Sequence, residues 1–204
     1  MHYLSCFDTM SPDPLELSPL NPLPPASGTL LVSGPYLSDP YFRRTVVLLC
    51  MHDANGSFGL VLNRPLEVNI SELMTELPNL PSPVGIGGPV QSGNLFFLHT
   101  LGPRIMGSLN IIDGIHMGGD YDQLCAVLTT APKLARHVRF FVGYSGWGAD
   151  QLDTEIGNRS WLVHPATKRS VMGTSQKDLW AGTLRSMGPQ YAPWANFPED
   201  PSLN

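Results

Sequence analysis

The residue types able to do chemistry gather at the ends of predicted strands. Asp39-Pro40-Tyr41-Phe42-Arg43-Arg44 is the most unusual segment, because Arg43 and Arg44 are the only adjacent cations before Lys168-Arg169 in a chain with 14% charged residues. Asn63-Arg64-Pro65 closes the third predicted strand in a similar way. If these strands pair, Arg43 or Arg44 shares one rim with Arg64, and such a rim would hold a carboxylate or phosphate through forked hydrogen bonds. The plainer reading is an Asp39–Arg43 salt bridge that staples the loop. Gly85-Ile86-Gly87-Gly88-Pro89 is glycine-rich but lacks the GK[ST] ending of a phosphate loop, and Pro89 removes a backbone donor. The amides of Gly87 and Gly88 could still form an anion nest, although an ordinary tight turn explains the same residues.

No catalytic set emerges. Gly143-Tyr144-Ser145-Gly146-Trp147 fails the GxSxG pattern, because the elbow needs glycine where Trp147 stands. His52 and His99 both end predicted strands and could meet in space; strand-end histidines that simply hydrogen-bond are the plainer reading. The six histidines show no chelating spacing, so no metal is expected. Asp150, Asp153 and Glu155 cluster in a short predicted helix, where the helix dipole accounts for acids in the first turn. Trp147 and Trp161 flank that helix and read as aromatics closing a core rather than as a stacking platform.

These residues need a scaffold. Gly28–Ser33, Thr45–His52, Phe58–Asn63, Leu95–His99, Arg139–Tyr144 and Ser160–His164 have strand length and composition, and Ile105–Ile112 is weaker strand material. Asp53–Gly56 reads as a hairpin turn, since Asn-Gly adopts positive φ readily. Ile70–Leu77, Asp120–Thr130, Gly148–Ile156 and Gln176–Met187 read as helices, with Gly188 closing the last. Residues 80–94 read as one long Gly/Pro loop. Hairpins mixed with helices predict an α+β single domain over residues 27–190. Its sheet is expected to be mixed, largely antiparallel and barrel-like, flanked by about four short helices. Residues 1–26 carry six prolines interrupted by isolated Leu and Tyr without period, and read as an extended or disordered tail. A polyproline recognition peptide is the alternative there. Residues 191–204 read as an irregular tail.

Composition narrows the class. The 204 residues include 20 glycines and 20 prolines, against roughly 12% expected for the pair, which excludes a long-helix bundle or coiled coil. Twelve basic and 17 acidic residues leave a net charge of −5, with no long basic run and no helix-turn-helix pattern, so nucleic acid is not expected as a partner. No Lys or Arg precedes Arg43, and the longest apolar run, about Val46 to Met51, is far short of a membrane span. A cytoplasmic protein is expected, with no membrane contact. Cys6, Cys50 and Cys125 form no disulfide framework. Cys50 sits in an apolar run, where burial raises a thiol's pKa and blunts a sensor role.

The blocks GTLLVSGPYLSDPYFRRTVVLLCMHDANGSFGLVLNRPL, IGGPV, FFLHT and GYSGWGADQLDTEIGNRSWLV occur in that order over roughly residues 28–188. As an ordered set this resembles the YqgE/AlgH family of bacterial proteins. The resemblance implies a bacterial cytosolic protein with a compact α+β fold on a barrel-like sheet. The family has no established biochemical activity, and some members carry the label "transcriptional regulator" on genetic grounds. Cys50 lies where some members also have cysteine. Ser57-Phe58 departs from the Ala and apolar residue that members often carry. The proline-rich start lies outside the pattern.

Position by position, the candidates for binding a ligand or partner are Asp39, Arg43, Arg44, His52, Asn63, Arg64, Gly87, Gly88, Trp147, Gln151 and Glu155, with no cofactor. The first reading is a non-enzymatic regulatory or binding domain whose polar rim takes a small anionic ligand or a protein. The alternatives are a hydrolase or transferase using His52 or Glu155 as base, a DNA-binding regulator, and a thiol sensor at Cys50.

Overall fold

The computed structural model describes residues 23–80, 82–173 and 176–197. The tail reading of residues 1–22 therefore lies outside the described residues, as does Cys6. Strands β1 (Thr29–Ser33), β2 (Val46–Asp53) and β3 (Gly56–Val61) form an antiparallel set. The β2–β3 turn is the expected Asp-Ala-Asn-Gly hairpin, with Asp53 Oδ1 accepting the Asn55 N–H at 2.7 Å. The remaining strands are β4 (Pro65–Asn69), β5 (Pro83–Ile86), β6 (Val90–His99), β7 (Leu109–Ile112), β8 (Ile115–Met117), β9 (Val138–Gly148) and β10 (Trp161–Pro165).

The main path of the sheet runs β10-β1-β2-β3-β9-β6-β8-β7. One edge of β9 carries β6, and its other edge is shared by β5, which is parallel, and β3. That parallel pairing makes an otherwise antiparallel sheet mixed. The barrel-like expectation needs correction: the sheet curls but does not close. β7 abuts Gly28, where a Cβ would lie 2.8 Å from Ile111 O, yet no ladder joins β7 to β1 among the described residues.

Helices α1 (Ile70–Leu73), α2 (Tyr121–Thr130), α3 (Gln151–Gly157), α4 (Lys168–Met172) and α5 (Leu179–Met187) surround the sheet. α1 is half its predicted length. An Asn69–Glu72 capping box starts it, but Met74 is already extended, and Leu77 and Leu80 reach the core from irregular backbone. Their helix-like spacing is met by a chain that turns ahead of Pro78 rather than by a helix. α4 was not expected; Thr167 and Ser170 cap each other around it. Residues 192–196, predicted as irregular, form a 3-10 turn that packs Tyr191 and Ala195 into the core beside α5.

Two layers of helix cover the sheet. One face packs Leu30, Leu48, Leu60 and Phe141 under Trp180 and Leu184 of α5. The opposite face has two patches, one under α1 and α2 around Val84, Phe140 and Leu124, the other around Trp147, Leu152 and Trp161 beside α3. β2 explains its own sequence: Val46 and Leu48 face one layer, Val47 and Leu49 the other, so an uninterrupted apolar run is what a strand buried on both sides requires. No helix among the described residues is long and apolar enough to cross a membrane.

Candidate functional site

The Asp39–Arg44 loop is a clasp between layers. Asp39 Oδ1 accepts the amides of Tyr41 and Phe42 at 2.8 and 3.1 Å, a local turn that Asp favours. Phe42 then enters the core, its ring 6.1 Å from Trp147 and 5.4 Å from Trp161. Arg44, at φ 54°, lays its guanidinium 4.9 Å over the Trp180 ring and donates to the Phe197 carbonyl. The expected rim is assembled: Asn63 Oδ1 accepts the Val46 N–H at 2.9 Å, Asn63 Nδ2 donates to Arg44 O at 2.8 Å, and Arg64 donates to Arg43 O at 2.6 Å. Asn63 thus has both ends of its amide on the backbone of the next strand. It fixes the loop rather than presenting a free hydrogen-bonding group.

Gly87 and Gly88 serve a close crossing of β9. The Gly87 N–H donates to Val142 O at 2.8 Å, and Gly87 O accepts both the Val61 N–H at 2.9 Å and Ser145 Oγ at 3.0 Å. A Cβ on Gly87 would sit 2.3 Å from Gly143 O, and one on Gly88 2.2 Å from the Tyr144 carbonyl carbon. The amide that an anion nest would need from Gly87 is already bonded. Ser145, fully buried, ends on that same carbonyl.

Glu155 bridges two indoles. Its Oε2 accepts Trp147 Nε1 at 2.9 Å and Trp161 Nε1 at 2.8 Å, and its Oε1 accepts Gln151 Nε2 at 2.9 Å. Gln151 Oε1 in turn accepts the Gly148 N–H at 3.0 Å. The indoles cross edge to face at 5.9 Å. Asp150, in the left-handed region at φ 58°, turns β9 into α3 and so brings Glu155 beneath both rings. Sequence reading named these residues but not their union. The available signal was Glu155 itself, which lies past the first turn of its helix, where the dipole gives an acid no reason to be.

His52 stands apart. Its Nδ1 meets Ser57 Oγ at 2.8 Å across the β2–β3 ladder, in a cleft of about 250 Å³ with Asp53, Asp150 and Asp153 on its walls. It does not meet His99, since β3 and β9 lie between their strands. His99 is fully buried: its Nδ1 accepts the Leu101 N–H at 3.2 Å, which leaves Nε2 to donate to Gly118 O at 3.1 Å. Burial holds its pKa below the usual histidine range, the Gly118 bond opposes this, and His116 stacked at 5.4 Å reinforces it. Cys50 is 1% exposed and burial pushes its thiol pKa far up, as its apolar run predicts. Among the described residues no group of three or more His, Cys, Asp or Glu side chains could hold a metal ion.

Arg139 opens the strand predicted at 139–144. It turns inward from β9, donating to Leu62 O at 2.7 Å and to Val171 O, 5.1 Å over the Phe141 ring, and burial lowers its pKa to about 10.

The AlgH-like family model (DUF179) matches residues 30–192. A "UPF0301 protein" of Chlorobium limicola is 40% identical over 177 residues, 87% of this chain and 95% of that one. Another from Bacteroides thetaiotaomicron is 37% identical over 181 residues, 88% of this chain and 92% of that one. The solution structure of AlgH from Pseudomonas aeruginosa superposes with a TM-score of 0.67 at 26% identity, over 84% of this chain and 94% of that one. A crystal structure of a Corynebacterium diphtheriae protein has the same fold, with a TM-score of 0.73 at 24% identity, over 86% of this chain and 94% of that one. With its core, its strand-end motifs and its glycine crossing all inside the matched span, the chain belongs to the AlgH-like family.

Proposed function

We propose that the chain is a non-enzymatic recognition domain that takes a protein partner on its 35–44 loop. The observation that carries this is a rigid loop with outward anchors. Phe42 is locked between two tryptophans and Asn63 pins the loop's end, while Tyr36 and Tyr41 stand 69% and 61% exposed. Arg43 beside them is also exposed. Tyr and Arg are the side chains that dominate binding energy at interfaces, and a preformed loop lowers the entropic cost of association. A guanidinium in this position suits a carboxylate on the partner. A small anion is the poorer fit, because Asn63 and Gly87 already bond the backbone. A regulatory role would then act through protein contact, in keeping with a net charge of −5.

A photo-crosslinking residue at Tyr41, compared in cells with one at exposed Glu67 on β4, tests the reading. A discrete conjugate from position 41, absent from position 67 and lost in Arg43→Ala, is expected. Identical patterns from both positions overturn it.

The His52–Ser57 pair supports a second reading, a hydrolase with Ser57 as nucleophile and His52 as base. Turnover of activated esters, abolished in both Ser57→Ala and His52→Ala with the fold intact, is what that reading requires. Glu155 is a poor base, since three N–H donors already occupy its oxygens.

A further inference from the structure

We propose that the cavity between α4, α5 and the β10 edge of the sheet binds a small organic monocarboxylate with an apolar body. The cavity holds about 690 Å³, a volume typical of small-molecule sites. Leu30, Pro165 and Leu179 give it apolar surface. His164 of β10, Arg169 of α4 and Asp178 at the start of α5 are the titratable side chains on its lining. Arg169, Gly182 and Ser186 are exposed along it, so a ligand enters directly from solvent.

Three observations carry the assignment. The first is a glycine that the fold does not need. Gly182 lies inside α5 and lines the cavity. It is not among the glycines with positive φ, and a Cβ built on it meets nothing within 4 Å. Neither backbone conformation nor packing calls for glycine there, and a helix interior disfavours it. What the missing side chain leaves is room.

The second is a pair of polar groups with nothing to bond. Arg44, Arg64, Arg139 and Arg185 each donate to an oxygen of the protein. Among the described residues the Arg169 guanidinium and the His164 ring nitrogens have no such partner. The hydroxyls of Thr183 and Ser186 donate to Leu179 O and Thr183 O, both at 2.7 Å, so they offer a ligand lone pairs only. The donors suited to an anion are therefore Arg169 and His164.

The third is charge. Residues 164–190 contain four of the chain's 12 Lys and Arg residues but one of its 17 acids, Asp178. In a chain of net charge −5 this makes a local positive field that draws anions. Burial holds the His164 pKa below the usual histidine range, so near neutral pH its ring is uncharged and Arg169 supplies the lining's positive charge. Asp178 on the same lining opposes a second negative charge, which favours a monoanion over a phosphate dianion. The planar fork of Arg169 matches a carboxylate, and the apolar surface takes the rest of the molecule. The cavity shares no residue with the 35–44 loop, so the two readings stand or fall separately.

Chemical-shift titrations of the isotope-labelled full chain test the proposal, with phenylbutyrate, its neutral amide phenylbutyramide and inorganic phosphate as probes. Phenylbutyrate should shift backbone amides within residues 164–170 and 179–186 saturably, and the amide should bind about ten-fold more weakly. Arg169→Gln should erase that difference. Gly182→Leu should weaken both organic probes about ten-fold or more by filling the space, with the amide shifts of the sheet unchanged. Equal affinity for acid and amide, unchanged affinity in Gly182→Leu, or no saturable shift below about 10 mM phenylbutyrate overturns the proposal. So does a stronger response to phosphate than to phenylbutyrate, which would make this an inorganic-anion site. Arg169 is exposed, so Arg169→Gln decides the question even if Gly182→Leu does not fold.

Discussion

Two patches on the same side of the sheet treat their buried polar groups in opposite ways. Beside α3, Trp147, Trp161, Gln151 and Glu155 are joined by three hydrogen bonds, and Gln151 accepts a fourth from the Gly148 N–H. Under α2, His116 Nδ1 is buried with no hydrogen-bond partner among the described residues and the buried Tyr121 hydroxyl has only the weak Cys125 thiol beside it, while neighbouring His99 is locked as a neutral tautomer. A closed network makes every member costly to remove, since each loss strands a partner in low dielectric. A group already without a partner costs little to remove. The α3 patch therefore positions the Phe42 loop rigidly, and the α2 patch is where the fold has stability to gain and where acid acts.

The largest effect should come from the crossing that supports both patches. Gly88→Ala puts a Cβ 2.2 Å from the Tyr144 carbonyl carbon at φ 155°, so more than about 4 kcal/mol should be lost, with no folded protein recovered by circular dichroism. Glu155→Ala removes the carboxylate that two indole N–H groups share and should cost about 2–5 kcal/mol in urea unfolding. Recovery of full stability in that variant would show that water serves the indoles equally well, and the contrast between the patches would collapse.

On the α2 side the probe is pH. Because the folded state lowers the pKa of His99, and of His164 on β10 by burial, the unfolded chain binds more protons once pH drops below the ordinary histidine value of roughly 6.5. Stability should be full above that value and fall as pH drops below it toward the depressed folded values. His99→Gln should flatten that decline in urea titrations run at successive pH values; an unchanged slope would remove His99 as its source. The smallest effect is Tyr121→Phe, which deletes a buried hydroxyl paired with nothing stronger than the Cys125 thiol and should change stability by less than about 1 kcal/mol. The same burial, reinforced by Cys125, Glu76 and Asp122, raises the Tyr121 phenol pKa. A large loss in Tyr121→Phe would reveal a strongly bonded hydroxyl and make the two patches alike.

Much of this architecture was legible in the residues. β2 announced itself as an apolar run, the Asn55-Gly56 turn as a hairpin, and Asp120 as the cap of α2, where its Oδ1 accepts the Gln123 N–H at 3.0 Å. What sequence reading missed has a common cause. β5 and the first half of β6 lie in the Gly/Pro stretch read as loop, because Gly87 and Gly88 mark contact between backbones, and Gly85 makes room for the Phe141 ring, rather than a turn. Local propensity counts glycine against a strand, whereas a second strand at 2–3 Å from the missing Cβ demands it. α1 ended early for the converse reason: the helical spacing of Ile70, Met74 and Leu77 describes burial, which irregular backbone delivers too, while Leu73 is left 44% exposed.

The candidate site divides along the same line. Composition and motif order alone settled the α+β class, the lack of a long basic run and the burial of Cys50, and singled out Asp39–Arg44 as the loop of unusual charge, because each depends on residue type and near neighbours. Only the tertiary structure decided that Glu155 joins Trp147 to Trp161, that Asn63 binds the backbone of residues 44 and 46, that His52 faces Ser57 rather than His99, and that the curled sheet stays open. Those outcomes turn on which strands lie side by side. A side chain's partner across a sheet is set by register between segments that, for β1 and β10, lie more than a hundred residues apart, and no local preference encodes it.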